Sequence, residues 1–205
     1  MPAGVYLTPN HVSYLDILVL AALTPVVFVS KHEVASWPVF GWFARRCGTR
    51  FLRRAERRDL VRVGRELAPV LAEGVNLAVF LEGTSGAGDA VLPFKPSLLA
   101  PAVAEGWPVV PVALRYRTAA GIDPRQAIAW WGDMALVPHL ITLAGLPWVE
   151  ATVRWGEPMV AEGDRKELAG RLQTAVAGLL ETSAVSAGET ALGKAGAVAE
   201  SGTEG

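Results

Sequence analysis

Short apolar runs alternate with stretches of helical spacing along most of the chain, and that alternation predicts an α/β sheet protein. Val5-Tyr6-Leu7 reads as a short strand ending at Pro9. Ser13 has the place of a helix cap, with Asp16 three residues later, opening a helix to about Leu23. Pro25 stops that helix, and Val26 to Val29 is a buried-strand run. A short helix over Trp37 to Arg46 and a strand over Thr49 to Leu52 follow. Arg57 to Glu73 carries Leu60, Val63, Leu67, Val70 and Leu71 on one helical face, with Pro69 as a potential kink and Gly74 as the stop. Asn76 to Leu81 is the clearest strand, and it runs into the turn Glu82-Gly83-Thr84-Ser85-Gly86. A helix over Ser97 to Glu105, strands over Val109 to Leu114 and Trp148 to Trp155, and a helix capped by Asp164 and reaching about Glu181 complete the pattern. Residues 1–181 therefore read as one folded domain. Residues 182–205 hold almost no large apolar side chain and read as a disordered tail.

Composition narrows the class. The chain has 205 residues, 51% of them hydrophobic, enough for one sizeable core. Its longest uncharged stretch, the sixteen residues Met134 to Val149, is shorter than the roughly 20 a spanning helix needs. Pro138, Gly145 and Pro147 interrupt it, so an interfacial or buried segment is expected. Met1 to Val5 carry no basic cluster of a secretory leader. The single cysteine, Cys47, excludes an intrachain disulfide and a cysteine-rich metal site. The overall charge of −1 conceals a segment of +7 between Arg45 and Arg65, where nine arginines face only Glu56 and Asp59. Such a run suits anionic lipid, substrate phosphate or nucleic acid, or else a solvated helix face.

Two places can carry chemistry. His11 and Asp16 lie five positions apart; on a regular helix they would diverge by about 140°. They meet only if His11 occupies the turn before the helix and Asp16 its first turn. Asp16 would then hold one imidazole nitrogen and leave the other to take a hydroxyl proton; otherwise Ser13 and Asp16 form a plain cap and His11 packs locally. The second place is Glu82 to Gly86, which follows a strand and so falls at the carboxyl edge of a parallel sheet, where ligands commonly bind. Gly83 to Gly88 has the spacing of a phosphate-binding loop, but Asp89-Ala90 stands where Lys-Ser/Thr is required. Lys31 and Arg54 are cations that strands could bring to the same edge. The three histidines, His11, His32 and His139, share no ligand spacing, and no metal is expected.

In order, these pieces resemble the lysophosphatidic acid acyltransferase family of glycerolipid acyltransferases. Asn10-His11-x4-Asp16, Gly48-x-x-Phe51-Leu52-x-Arg54, Phe80-Leu81-Glu82-Gly83-Thr84 and Val110-Pro111-Val112 are similar to its four motifs, across about Val5 to Pro158. The resemblance implies a mixed, largely parallel sheet flanked by helices. It implies an O-acyltransferase in membrane lipid biosynthesis, in which His11 acts as general base, oriented by Asp16, on the free hydroxyl of a lysolipid. Asn10, Lys31, Arg54, Glu82, Gly83 and Thr84 would bind substrate. The acyl donor would be acyl-CoA or acyl carrier protein, a co-substrate with no further cofactor. The partners would be the lysolipid and the membrane surface, without nucleic acid, at the cytoplasmic face of the cell membrane as a peripheral or monotopic protein. The acceptor expected first is 1-acyl-sn-glycerol-3-phosphate. Leu81 stands for the family's usual proline and Ser85 for its usual arginine, and the stretches Glu82 to Gly86, Leu92-Pro93-Phe94-Lys95 and Trp131-Gly132-Asp133-Met134 look more like bacterial members that acylate lyso-ornithine lipids. A non-catalytic basic module binding membrane or nucleic acid is the alternative from another class.

Overall fold

The computed structural model describes residues 2–31, 49–52, 57–181 and 189–192. The helix expected over Trp37 to Arg46 and the arginines between 53 and 56, Arg54 among them, lie outside the described residues.

One eight-stranded sheet organises the chain, in the order β3-β2-β4-β1-β5-β6-β8, with β7 also pairing β5. Its strands are β1 (Tyr6–Pro9), β2 (Val26–Lys31), β3 (Arg50–Leu52), β4 (Asn76–Val79), β5 (Pro108–Arg117), β6 (Glu150–Trp155), β7 (Met159–Val160) and β8 (Glu189–Leu192). Every pairing from β3 to β5 is parallel. The remaining pairings are antiparallel, so the sheet is mixed and largely parallel. The helices are α1 (Leu15–Leu23), α2 (Arg57–Ala72), α3 (Ala100–Glu105), α4 (Pro124–Ala127), α5 (Leu136–Ala144) and α6 (Arg165–Glu181), with a 3₁₀ turn (Pro96–Leu99) leading into α3.

Period-two alternation divides the core into two layers. Val109 and Ala113 of β5 face one layer with Leu67, Leu98, Leu168, Leu172 and Val176. Val110, Val112, Leu114 and Tyr116 face the other, with Val12, Val19, Leu20 and Ile128. A parallel sheet needs both faces covered, and the crossover helices supply that cover. Asp164 caps α6 as expected, its Oδ1 accepting from the backbone N–H groups of Lys166 and Glu167.

One expectation, the Ser13 cap, changes. The helix α1 begins at Leu15 with Tyr14 in the flanking position, and no side chain caps it. Ser13 Oγ is buried and has no hydrogen-bond partner among the described residues. The stretch around Met134 to Val149 contains the nine-residue helix α5; Pro138 falls in its first turn, where the missing N–H costs nothing. Within the tail expected to be disordered, Glu189–Leu192 pairs with β6, Thr152 lying opposite Ala191. Strand addition needs only an open backbone edge, so a tail poor in apolar residues can still make it. Among the described residues, no helix is long and apolar enough to cross a membrane.

Candidate active site

The parallel register sets the site. β1 and β4 run the same way, Tyr6 beside Leu77, so the residues leaving both strands emerge at one edge. Asn10 and His11 follow β1; Phe80, Leu81 and Glu82 follow β4.

Asn10 extends the β1–β5 ladder after the strand turns away. Its N–H donates to the Val112 carbonyl at 3.3 Å. Its side-chain Oδ1 accepts from Leu114 N–H at 2.7 Å, and its Nδ2 donates to the Leu114 carbonyl at 3.0 Å. The amide thus does what a paired strand residue would do. Asn10 is only 3% exposed, so it positions the loop and has almost no surface to offer a substrate.

His11 and Asp16 do meet. His11 Nδ1 lies 2.7 Å from Asp16 Oδ2. The same oxygen accepts from the backbone N–H groups of Val12 at 2.7 Å and Ser13 at 3.0 Å. Tyr116 donates its hydroxyl to Asp16 Oδ1 at 2.7 Å. Asp16 is fully buried, whereas the His11 side chain keeps 20% of its surface open. The Asp16 carboxyl group is thus a multiple acceptor, bonded at both oxygens. It accepts a hydrogen bond from His11 Nδ1–H, which leaves Nε2 as the basic atom of the ring. The back-bond from Asp16 to Ser13 N–H is half of a capping box; the Ser13 half is absent.

The turn after β4 grips the histidine. Glu82 Oε1 accepts from His11 N–H at 3.0 Å, and Gly86 N–H donates to the His11 carbonyl at 2.8 Å. Both sides of the histidine backbone are therefore fixed by one loop. The Phe80 ring stacks on the imidazole, centroids 3.9 Å apart and planes 19° apart, and Phe28 stacks on Phe80 in turn. Gly83 takes a φ of 75°, a left-handed turn that favours glycine, and it is buried. Thr84 is exposed. Glu82 is 2% exposed, and burial pushes its carboxyl up to about 7; the N–H groups of His11 and Leu92 oppose the rise, and the Asp16 charge adds to it. Glu82 thus braces the His11 loop. Lys31 ends β2, and the pairing of Val29 with Val79 carries its backbone to the same edge.

Ser85 Oγ donates to the Trp130 carbonyl, and Trp130 N–H donates to the Val12 carbonyl at 3.0 Å. One peptide segment therefore ties the Glu82 loop to the His11 loop. Reading the sequence passed over Phe80, Tyr116 and Trp130 as parts of this site. Tyr116 did leave a signal: it shares the strand phase of Val112 and Leu114, and a buried tyrosine hydroxyl needs a partner.

Comparisons with known proteins place the chain among relatives. Residues 2–115 match a family model described as Acyltransferase. A lyso-ornithine lipid O-acyltransferase of Brucella abortus is 40% identical over 190 residues, spanning 86% of this chain and 71% of the relative. A 1-acyl-sn-glycerol-3-phosphate acyltransferase of Neisseria meningitidis is 35% identical over 166 residues, spanning 81% of this chain and 64% of the relative. The chain thus spans about two-thirds of the length of these relatives. A crystal structure of the 1-acyl-sn-glycerophosphate (LPA) acyltransferase PlsC from Thermotoga maritima superposes with a TM-score of 0.54 and 25% identity, covering 88% of this chain and 68% of that one. With a family model matching more than half its length and its His11–Asp16 pair at the sheet edge, this chain belongs to the acyltransferase family.

Proposed function

We propose that the chain transfers a fatty acyl group from acyl-CoA or acyl carrier protein to the free hydroxyl of a lysolipid. The observation that carries this reading is the 2.7 Å bond between His11 Nδ1 and the fully buried Asp16, on a side chain that keeps a fifth of its surface open. In this reaction His11 Nε2 takes the hydroxyl proton as the oxygen attacks the thioester carbonyl. The tetrahedral intermediate collapses, the carbon–sulfur bond breaks, and the proton on His11 passes to the departing thiolate. The Asp16 carboxylate holds the ring and stabilises the imidazolium formed on the way.

The acceptor we propose first is 1-acyl-sn-glycerol-3-phosphate, the substrate in the name of the Neisseria relative. A second acceptor, a lyso-ornithine lipid, is favoured by Ser85, whose hydroxyl is turned to the Trp130 carbonyl and carries no charge for a phosphate. Lys31 and Arg54 are the cations we propose for an anionic head group. The protein works, in this reading, as a peripheral protein at the cytoplasmic face of the membrane. Supporting that placement, α5 exposes Val137 and Ile141, 64% and 69% open, within sixteen uncharged residues. Tyr14, which leads into α1, bonds His139 of α5 at 3.0 Å, so this apolar face adjoins the His11 loop.

The test is incubation of the purified protein with vesicles carrying a panel of lysolipids, each with both thioester donors, and identification of the product by mass. A product heavier than a lysolipid by one acyl group supports the proposal, and the acceptor consumed separates the two readings. Thioester hydrolysis without acylated lipid, or no consumption with any pair, contradicts it.

A further inference from the structure

The general-base reading assigns work to His11 and Asp16 but leaves open what holds Asp16 itself. Its two oxygens are served unequally. Oδ2 carries His11 Nδ1 and the N–H groups of Val12 and Ser13, all within 3.0 Å. Those three donors come from one short turn and can travel with it. Oδ1 is met by the hydroxyl of Tyr116, from a strand a hundred residues away in sequence.

Tyr116 is well placed to hold that oxygen. It lies near the end of β5, beside Ala151 of β6, and its ring is packed in the layer shared with Val12, Leu114 and Ile128. Burial, with the neighbouring Asp16 charge, raises its pKa well above the ordinary tyrosine value, so the phenol stays protonated and can only donate to the carboxylate. Two consequences follow. A carboxylate bonded at both oxygens cannot swing about its Cβ–Cγ bond, so Oδ2 stays aimed at His11. A donor on Oδ1 also draws charge away from Oδ2, which moderates how strongly Asp16 favours the imidazolium.

We propose that Tyr116 is a positioning residue of the acyl transfer reaction: through its hydrogen bond to Asp16 Oδ1 it fixes the carboxylate against His11 and tunes the basicity of the ring. The inference rests on the general-base reading of His11. Among the described residues, the other titratable groups around the pair are Glu82, braced against the His11 N–H, and Tyr14, bonded to His139. Both persist when only the Tyr116 hydroxyl is removed.

The experiment compares wild type with Tyr116→Phe, which keeps the packed ring and deletes the hydroxyl. It also uses a protein carrying 3-fluorotyrosine at position 116, whose more acidic phenol donates more strongly. Acyl transfer is measured across pH with one lysolipid acceptor and one thioester donor, below the melting temperature of each protein. For Tyr116→Phe, kcat falls roughly tenfold to hundredfold, the range for loss of a hydrogen bond to a charged group. The acceptor KM stays within about twofold. Because Asp16 then bears more charge toward His11, the midpoint of the acid limb of kcat/KM moves up in pH. In the fluorotyrosine protein it moves down. Unchanged kcat and midpoint in Tyr116→Phe, or midpoints shifted in the same direction in both proteins, overturn the inference. Should Tyr116→Phe not fold, the fluorotyrosine midpoint decides alone: a downward shift supports the inference and an unmoved one overturns it. Wild-type activity in His11→Ala would instead defeat the general-base reading, a failure visible separately from that of Tyr116.

Discussion

Replacing Glu82 with glutamine separates the charge of this buried side chain from its hydrogen bonding. Glutamine keeps a carbonyl oxygen to accept from the N–H group of His11, and it resembles the protonated acid in shape. Burial raises the Glu82 carboxyl from 4.5 to about 7 in the folded protein. Between those values the folded protein holds a proton that the unfolded chain has lost, so stability declines as pH rises from about 4.5 to about 7. The decline amounts to about 3 kcal/mol at most, from 1.36 kcal/mol for each pH step separating the two values. Above pH 7 the folded protein bears the whole cost of a buried charge. Glu82→Gln bears none of it, so its stability relative to wild type increases with pH and levels off near pH 8. Urea unfolding followed by tryptophan fluorescence at pH 5, 6, 7 and 8 measures that difference. A variant-minus-wild-type difference that stays flat from pH 5 to 8, or falls, would refute the reasoning. Acyl transfer by Glu82→Gln should remain within a few-fold of wild type at pH 7, because the brace on His11 survives.

Other perturbations probe neighbouring parts of the account. Asn10→Ala leaves the buried N–H and carbonyl of Leu114 without their side-chain partners, so it should lower stability by about 2–4 kcal/mol in urea unfolding. It should also reduce kcat, since the His11 loop loses its anchor to β5. Val137→Glu and Ile141→Glu together place charge on the open face of α5. They should weaken vesicle binding at least tenfold in a flotation assay, while leaving the melting temperature and turnover of a dispersed short-chain acceptor unchanged.

The sheet was largely legible because its signal is local. Asn76 to Val79 and Val109 to Leu114 are short apolar runs between turns, and the structure makes both of them parallel strands. The meeting of His11 with Asp16 was legible too, because a turn followed by a helix start is the one local geometry that joins them. The hydrogen-bond contacts of Asn10 and Glu82 were not. Each is decided by distant chain: Asn10 by Leu114, 104 residues on, and Glu82 by the N–H of His11, 71 residues back. A polar residue at a sheet edge looks alike in sequence whether it faces ligand or braces a loop. Ser13 misled for the opposite reason: its position has the local form of a cap, yet Asp16 takes the Ser13 N–H and leaves the hydroxyl unused. Pairing of Glu189–Leu192 with β6 depends on an open strand edge, which composition does not report.

The central claim is that His11, held by buried Asp16, removes the proton from a lysolipid hydroxyl. Its most direct test is the rate of acyl transfer by purified His11→Ala, with circular dichroism and melting temperature matching wild type. The account predicts a loss of roughly 10²–10⁴-fold in kcat, the contribution of a general base, with acceptor binding to vesicles retained. A folded variant that transfers acyl groups at near wild-type rate would contradict it.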